Sequence, residues 1–420
     1  MGVLHRIWHG LTRSRGRRGS PFVGIARRHS PKRRGVALLM AITALMVLTV
    51  LVADVTYSSR VRLLKASHDR DAEAARWLAV SGANLYQLVL IVDKQLSKQM
   101  EQLAKGTGYE SMVSMIGGLW EMIPGLNTGL LRMAFVSGSS ADSEDLEQFE
   151  SEGLTDEQRE ESREGSGLFA DKHFLDFEGD FIAQVIDENS KVSLNLIKNA
   201  SGSGTCQENI GAQLLYGLMS GEDNDQWFYD RNIERWDLIC NLLDWVDTDT
   251  TASTAQGGYE DNLYNRLESP YLTKNAFFDT AEELRLVHGW TDEVYDRFSP
   301  NLTIYADKTN VNTAPDEVLK GLLRAYSIGT KPTDTALDAY LNDAREDAAG
   351  GQYGSAKDFV DTFKNKGMNL DDKLESVLDT DSSVFSVTST GIVNDSTRVL
   401  RVVYDFSSSS QGKIRYWRME

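Results

Sequence analysis

VALLMAITALMVLTVLVA, residues 36–53, is the stretch of sequence that decides how the rest of the chain is organised. These eighteen residues carry no charge. At 1.5 Å per helical residue they are just long enough to cross a hydrocarbon layer about 30 Å thick. A basic cluster ending at Arg34 precedes the stretch, and Asp54 follows it. Because basic residues stay on the cytoplasmic side, the pattern predicts one membrane span with the N-terminus inside and the large remainder outside.

The alternative interpretation of residues 36–53 is a cleaved secretory signal. For that role the apolar run is rather long, and it lacks the small-x-small pattern before a mature start. In addition, no proline occurs between Pro31 and Pro124, and small or apolar residues recur every three or four positions from Val61 to Val89. The pattern therefore predicts a retained helix over residues 36–98, first in lipid and then packed on a soluble domain.

Charge is distributed very unevenly along the 420 residues. The net charge is −18, yet the first 34 residues hold ten Lys or Arg and no acid. Without that segment, 34 basic residues face 62 acidic ones. A protein so acidic repels a phosphate backbone, which argues against nucleic acid as a partner of the mature form. The two cysteines, Cys206 and Cys240, are too few for a disulfide scaffold but permit one disulfide in an oxidising compartment.

Two segments alternate apolar and polar residues as β-hairpins do. Residues 177–197 alternate on both sides of an Asp-Glu-Asn-Ser turn at 187–190, and residues 383–406 alternate around Asn394, Asp395 and Ser396. Two hairpins can share one sheet even when they are far apart in the chain. The Leu-rich and Asp-rich region between them, helical in period, is then an insertion.

These patterns predict an α+β fold in which a long N-terminal membrane helix packs on an antiparallel sheet that carries a large all-α insertion. An acidic run at 142–164 is predicted to be a solvated loop. The predicted divisions are the basic leader 1–35, the long helix 36–98, a first sheet part 99–204, the insertion 205–375 and a second sheet part 376–420.

The insertion carries the most specific motifs. They are LICNLLDWVDTDT at 238–250, GGYEDNLYNRLESPYLTKNAFFDTAEELRLVHGW at 257–290 and NVNTAPDEVLKGLL at 310–323. Together with VSLNL at 192–196, this series closely resembles the K component of type II secretion systems, a family of minor pseudopilins. The resemblance implies a pilin-like sheet with an inserted domain likened to SAM or helix-hairpin-helix folds, and a structural role at the pseudopilus tip in protein export across the outer membrane.

The resemblance also implies processing, partners and a location. The leader ending in Gly35 resembles a prepilin peptidase signal, with cleavage before Val36 and methylation of the new N-terminus. The fifth mature residue is Met40, where the family usually has Glu, and the K subunit is known for lacking that Glu. Expected partners are the prepilin peptidase, the I and J type minor pseudopilins and the major pseudopilin. The expected location is the bacterial inner membrane, with the C-terminal region periplasmic.

An acidic cluster within the insertion predicts a cation site. Asp244, Asp247 and Asp249 precede a loop rich in Gly and Thr that ends at Glu260 and Asp261. Calcium takes six to eight oxygens, mostly from carboxylates and carbonyls. The K family is known to bind calcium in this domain, so the resemblance implies Ca²⁺ with Asp247, Asp249, Glu260 and Asp261 as ligands. The spacing is not that of an EF-hand, and a solvated acidic loop has the same composition.

Two further motifs are explained as the starts of helices, so neither needs a catalytic or binding role. Asn312 or Thr313 is expected to cap a helix that begins near Pro315, with acids in its first turn. Thr280, three residues before Glu283, is expected to cap a second helix.

Catalysis is not expected. The six histidines form neither HExxH nor a paired zinc spacing, and the chain has no GxSxG elbow or phosphate-binding glycine loop. NVNTAPDEVL also resembles the opening of helix-hairpin-helix repeats in DNA-uptake proteins. A nucleic-acid-binding membrane protein of a related pilus or DNA-uptake system is therefore the alternative function, which the net charge opposes.

Overall fold

The computed structural model describes residues 33–104, 118–123, 125–131, 177–199, 206–253, 257–347 and 352–420. The chain forms two compact units, residues 1–67 and residues 68–420. Most of the predicted leader and the whole acidic run at 142–164 lie outside the described residues.

The predicted N-terminal helix is confirmed and is longer than expected. Helix α1 runs from Arg33 to Ala104. Residues 35–57 are all exposed on it, and the large apolar side chains among them include Leu45 and Val50. Among the described residues this is the one helix long and apolar enough to cross a membrane. A stretch that exposes apolar side chains throughout is suited to lipid, because the helix already satisfies its own backbone hydrogen bonds.

The remaining elements of the described residues belong to the second unit, and we number them in chain order. The helices are α2 Leu119–Met122, α3 Ile210–Leu218, α4 Glu222–Arg231, α5 Arg235–Val246, α6 Asp292–Phe298, α7 Asp316–Tyr326, α8 Asp334–Asp347 and α9 Ala356–Asn365. The strands are β1 Gly125–Asn127, β2 Asp180–Asp187, β3 Val192–Ser193, β4 Leu302–Thr303, β5 Thr309–Asn310, β6 Leu378–Asp379, β7 Val384–Val393, β8 Ser396–Asp405 and β9 Lys413–Met419.

A five-stranded antiparallel sheet forms one part of this unit, with strand order β1-β2-β7-β8-β9. Strand β2 pairs along its whole length with β7, from Asp180 opposite Ile392 to Asp187 opposite Phe385. Because β2 and β7 are neighbours in the sheet, everything between them in sequence is inserted into it. The predicted mixed fold, a long helix with an antiparallel sheet, is confirmed at this level.

The C-terminal half of α1 packs on one face of the sheet. Ala75, Ala79 and Ala83 are fully buried there, together with Tyr86 and Leu90. Small residues allow a close approach: a Cβ placed on Gly391 of β7 would lie 1.9 Å from the Ala75 carbonyl oxygen. Such a distance is far inside van der Waals contact, so the helix and β7 can lie this close only with glycine at position 391.

Helices α3 to α9 lie between β2 and β7 and have a core of their own. That core extends from Val192 to Leu378 and includes Trp290, Phe359 and Phe363, each almost completely buried. Two short parallel pairings, β3 with β4 and β5 with β6, tie the two ends of this region to its middle.

The hairpin predicted over residues 177–197 is wrong. The first half is a strand, but its partner is β7 and not residues 191–197. Glu188, Asn189 and Ser190 form a 3-10 turn that turns the chain into the insertion, where β3 pairs with β4. Alternation identifies a strand correctly but does not specify the partner, which here lies almost two hundred residues downstream.

The predicted C-terminal hairpin is confirmed. Val393 pairs with Ser396, so Asn394 and Asp395 alone make the turn, and Asn394 has the positive φ of 50° that such turns require. Ser396, predicted as part of the turn, begins β8 instead. Strands β1 and β9 at the two sheet edges were not predicted.

One of the two predicted helix caps is wrong. Helix α7 begins at Asp316 after Pro315 and has no side-chain cap. The Asn312 side chain instead bonds the backbone of Tyr353, and the Thr313 hydroxyl donates to Asp187. Thr280 does precede a helical segment, the 3-10 helix Ala281–Leu286, and Glu283 accepts from its backbone N–H.

Candidate metal centre

Three carboxylates converge where helix α5 ends. Asp244 lies in the last turn of α5, and Asp247 is the residue directly after the helix. Glu260 begins the 3-10 helix Glu260–Leu263. An antiparallel bridge between Thr251 and Tyr259 closes the intervening loop and brings Glu260 back to the end of α5.

One carboxylate oxygen from each of Asp244, Asp247 and Glu260 lies within 4.8 Å of the others. Asp244 and Glu260 are buried, with 2% and 1% of their surface exposed, and Asp247 is half-buried. Asp244 accepts the Ser253 N–H at 2.9 and 3.1 Å. Among the described residues, Asp247 Oδ1 and both oxygens of Glu260 have no hydrogen-bond partner. Buried polar atoms are nearly always paired, so these three oxygens need either protons or a ligand outside the protein.

Burial and mutual repulsion dominate the electrostatics of this cluster. Burial, reinforced by the neighbouring Asp247 and Asp244 carboxylates, raises the pKa of Glu260 from 4.5 to about 8. Burial, reinforced by the Asp249 and Asp244 carboxylates, raises the pKa of Asp247 to about 6, and burial raises the pKa of Asp244. A divalent cation would offset two of the three negative charges and supply a partner for the free oxygens. The donor set consists only of carboxylates, which suits a hard cation such as Ca²⁺.

The four acids predicted as ligands do not all lie in this cluster. Asp247 and Glu260 do. Asp249 is exposed and accepts the Thr251 N–H at 2.8 Å, although it is close enough to raise the pKa of Asp247. Asp261 points to Thr273, accepting from its N–H at 3.0 Å and its hydroxyl at 2.8 Å. The third member of the cluster is Asp244, which was not among the predicted ligands. Its position three residues before Asp247, about one helical turn, was the sequence signal that could have identified it.

Cys206 and Cys240 are joined in a disulfide, with Cα atoms 5.6 Å apart. Cys206 begins a short 3-10 helix at the start of the insertion, and Cys240 lies on α5 one turn before Asp244. Both are buried. The crosslink therefore ties the entry of the inserted region to the helix that carries Asp244 and ends directly before Asp247.

Breaking this disulfide is expected to destabilise the soluble unit. The crosslink spans 34 residues, for which the chain-entropy account gives about 3–4 kcal/mol. We expect a reductant to lower the melting temperature of the full chain in detergent by several degrees. The double variant Cys206→Ala, Cys240→Ala should melt at the lower temperature with or without reductant. A wild-type chain whose melting is indifferent to reductant would contradict the crosslink.

The two residues of the predicted cleavage site lie at the start of α1. Gly35 and Val36 are both exposed in its first turns, and a Cβ on Gly35 would touch nothing within 4 Å. Met40 lies one turn further along and is also exposed.

A second group of polar residues, at the turn predicted as an exposed hairpin, is buried. Asp187, Glu188 and Asn189 are each at most 5% exposed. Asn189 Oδ1 accepts the N–H groups of Ser383 and Val384, both at 2.9 Å, where the chain re-enters the sheet. This cluster could not be identified from the sequence, because four consecutive polar residues usually form an exposed turn.

Each residue of this cluster connects the sheet to the insertion. Asp187 Oδ2 accepts from the hydroxyls of Thr313 and Ser382, each at 2.5 Å. Glu188 accepts from Thr303 at 2.5 Å and pairs with Lys191 at 2.9 Å. The Asn189 side chain also donates to the Lys308 carbonyl at 3.0 Å. We call residues 187–189 the junction cluster, because it bonds both chain crossings between the sheet and the helices.

Comparison with known proteins locates the family resemblance in the inserted region. Residues 230–307 match the family model described as type II secretion system (T2SS), protein K. The three carboxylates Asp244, Asp247 and Glu260 lie inside the matched range. The resemblance that the sequence motifs indicate is therefore confirmed.

Curated relatives with the same description also match part of the chain. Type II secretion system protein K of Klebsiella pneumoniae is 28% identical over 145 residues, which cover 34% of this chain and 42% of the relative. The protein of the same name from Aeromonas hydrophila is 36% identical over 88 residues, 20% of this chain and 26% of the relative. The matched segments thus span less than half of either relative.

Among solved structures, one similar chain comes from the GspK-GspI-GspJ complex of the enterotoxigenic Escherichia coli type 2 secretion system. It aligns with a TM-score of 0.45 and 16% identity, over 58% of this chain and 80% of that one.

Proposed function

We propose that the chain is a minor pseudopilin of a type II secretion system, located at the pseudopilus tip and needed for assembly and for export across the outer membrane. The observation that carries the proposal is the match of residues 230–307 to protein K of these systems. The matched region is inserted between neighbouring strands of a sheet on which a long helix packs. An exposed apolar segment at the start of that helix supplies the anchor.

The role is one of structure and interaction rather than catalysis. The apolar segment holds the subunit in the inner membrane, with the N-terminus cytoplasmic and the second unit periplasmic, until assembly draws the helix into the fibre. A periplasmic location is consistent with the disulfide, because that compartment is oxidising. Partners on this proposal are the I and J type minor pseudopilins, the major pseudopilin and the prepilin peptidase. Met40, in place of the family's usual Glu, suits a subunit with no neighbour above it.

Neither the described residues nor the relatives reported above favour the nucleic-acid alternative. The segment that resembled a helix-hairpin-helix opening uses its polar side chains internally, since Asn312 bonds Tyr353 and Thr313 bonds Asp187. The succession of short helices α3 to α9 is compatible with the SAM-like or helix-hairpin-helix-like insertion that the family resemblance implies.

Export tests the function directly. Deleting the gene in its host should remove the proteins of one secretory pathway from the medium and leave them in the periplasm. Plasmid-borne wild-type chain should restore them. A deletion strain with an unchanged profile of extracellular proteins under conditions that express the system would contradict the proposal.

Processing provides an independent prediction. Co-expressed with a prepilin peptidase, the chain should lose residues 1–35 and begin with Val36 carrying one added methyl group, as read by intact-mass and N-terminal peptide mass spectrometry. Gly35→Leu should block cleavage, because the signal resembled here ends in glycine. Ala37→Leu, a comparable enlargement two residues later, serves as the control. A wild-type chain that keeps its leader, or is cut elsewhere, would contradict this assignment.

We also propose that Asp244, Asp247 and Glu260 hold Ca²⁺. Calcium should raise the melting temperature of the chelator-treated chain. At a hundredfold excess of free calcium over Kd, the free energy of unfolding should increase by about 2.7 kcal/mol. Glu260→Gln should remove most of this shift, whereas Glu268→Gln, an exposed acid elsewhere, should leave it unchanged. An equal calcium shift in Glu260→Gln and the wild type would contradict the site.

The pH dependence follows from the raised pKa values. A carboxyl group with a higher pKa in the folded state holds more protons there than when unfolded, so folding stability falls as pH rises. For Glu260 this window runs from about 4.5 to about 8, and for Asp247 from its ordinary value to about 6. Without calcium, stability should therefore decrease across this range. The calcium-induced shift should be larger at pH 8 than at pH 5.5, because protons compete with the cation.

A further inference from the structure

A groove on the inserted region, away from the metal cluster, has features of a ligand site. Its larger part is a cavity of about 580 Å³ between the ends of helices α3 and α7 and the start of α5. A second cavity of about 280 Å³ shares Gln213, Ala325 and Lys331 with it, so the two cavities lie side by side. The larger volume lies within the usual range of pockets that enclose small ligands or peptide side chains.

One wall of the larger cavity is aromatic. The rings of Tyr216 and Trp236 are stacked with centroids 4.5 Å apart and planes 13° apart, and the Arg235 guanidinium lies 5.1 Å from the Tyr216 ring centroid. Arg235 is itself held by Asp225 at 2.5 Å and by the Met219 carbonyl at 3.2 Å. This wall is therefore fixed in place before any ligand arrives, which lowers the entropic cost of binding.

The base of the cavity is closed by the tight contact of α3 with α7. A Cβ on Gly217 would lie 2.4 Å from the Gly321 carbonyl oxygen, so the helices touch directly below the groove. Arg324, almost fully buried, pairs with Asp334 and donates to the Ser220 carbonyl at 2.8 Å. The base of the cavity is thus formed by packed backbone and by an arginine whose hydrogen bonds hold it in place.

The third cation that lines the larger cavity, Lys331, differs from the two arginines. Lys331 lies where the two cavities meet and donates to the carbonyls of Ala325 at 3.2 Å and Ser327 at 2.9 Å. Among the described residues it has no carboxylate partner. An ammonium group carries three donors, so one remains available after these two bonds. Acids line the same two cavities, among them Asp334 and Asp371, but no ion pair joins one of them to Lys331 among the described residues. Burial lowers the pKa of Lys331.

We propose that this groove binds an extended peptide segment in which an aromatic side chain stands next to a carboxylate. The aromatic group would lie against Tyr216 and Trp236, and the carboxylate would accept the free N–H of Lys331 and supply its missing counter-charge. A peptide, rather than a small aromatic acid, suits the continuation of the groove past Lys331 into the second cavity. The site goes beyond the proposed function, since it requires neither secretion nor the pseudopilin partners.

Binding of short peptides to the full chain in detergent tests the proposal. The probe is acetyl-Ala-Phe-Glu-Ala-amide, measured by saturation-transfer NMR and by titration calorimetry, against the same peptide with Gln in place of Glu. We expect saturable binding of the Glu peptide, at least fivefold tighter than the Gln peptide. Lys331→Gln should abolish that preference and bind both peptides alike. Lys357→Gln, an exposed lysine on α9, removes the same charge elsewhere and should retain the preference.

Four results would overturn the proposal, three of them with the peptides or the Lys331 variant and one with a variant of Trp236. The first is the absence of saturable binding of the Glu peptide to the wild-type chain. The second is an unchanged preference in Lys331→Gln, provided that its melting temperature matches that of Lys357→Gln. The third is equal affinity for N-acetyl-phenylalanine, because the groove would then hold a small carboxylate and not a peptide. Trp236→Leu should weaken both peptides equally, and an unaltered affinity in this variant would remove the aromatic wall from the site.

Discussion

Replacing Gly391 with alanine is expected to disrupt the packing of helix α1 on the sheet and cost about 4 kcal/mol or more of folding stability. The added Cβ would lie 1.9 Å from the Ala75 carbonyl oxygen and 2.7 Å from the Ala79 nitrogen. Both are backbone atoms of a continuous helix, so no side chain can rotate away to make room. The helix and strand β7 would have to separate, which opens the core formed by Tyr86, Leu90 and their neighbours.

Denaturant unfolding and limited proteolysis of the full chain measure this effect. The matched control is Thr390→Ala, the preceding residue of the same strand, whose side chain is on the opposite face of the sheet. The control should change stability by less than about 1 kcal/mol. If Gly391→Ala unfolds at the same denaturant concentration as the control, the close contact between α1 and β7 is refuted.

Removing Asp187 is expected to have the second largest effect. Asp187→Ala leaves three donors of the junction cluster without their acceptor: the hydroxyls of Thr313 and Ser382 and the backbone N–H of Asn189. Buried donors left unpaired cost about 1–3 kcal/mol each, so we expect a loss of about 3–5 kcal/mol after local relaxation. Because these bonds join the sheet to the insertion, the two parts should also begin to unfold in separate steps.

Calorimetry of the full chain distinguishes this outcome from simple destabilisation. The wild type should show one main transition for the second unit, and Asp187→Ala two. Asp395→Ala removes an exposed acid from the hairpin turn between β7 and β8 and should retain one transition. A single, equally cooperative transition in Asp187→Ala would mean that the junction cluster does not couple the two parts.

Sequence patterns predicted correctly the elements whose structure depends on residues close together in the chain. The charge-free run at 36–53 and its periodic continuation predicted α1, and alternation around Asn394 and Asp395 predicted the hairpin of β7 and β8. Both structures depend on neighbours in the chain. Strand β9 was missed because Lys413, Arg415 and Arg418 interrupt its apolar alternation, as charged residues commonly do on edge strands.

Long-range pairing explains the failures. The polar residues at 187–190 have the composition of an exposed turn, yet Asn189 bonds the backbone of Ser383 and Val384, almost two hundred residues away. Thr313 resembled a helix cap but donates to Asp187 for the same reason. A local sequence pattern does not specify hydrogen-bond partners that lie so far away in the chain. The type of residue was informative in each case, but its role depended on which distant segment packs against it.

The carboxylate cluster at the end of α5 shows both a successful and a failed prediction. A loop dense in acids predicted the region, and Asp247 and Glu260 do lie together there. Which other acid joins them depends on the end of α5, which directs Asp244 into the cluster, and on Thr273, which binds Asp261. These are tertiary contacts, so composition alone could not separate cluster residues from those that stabilise the loop.

The central claim, a minor pseudopilin that assembles with others of its kind, is tested most directly by affinity purification from membranes. The tagged full chain would be co-expressed with the prepilin peptidase and the I type, J type and major pseudopilins of the same host, crosslinked in the membrane and isolated in detergent. We predict that the I and J type subunits are recovered with it in fixed proportion. Recovery of the chain alone, while the I and J type subunits still crosslink to each other, would contradict the account.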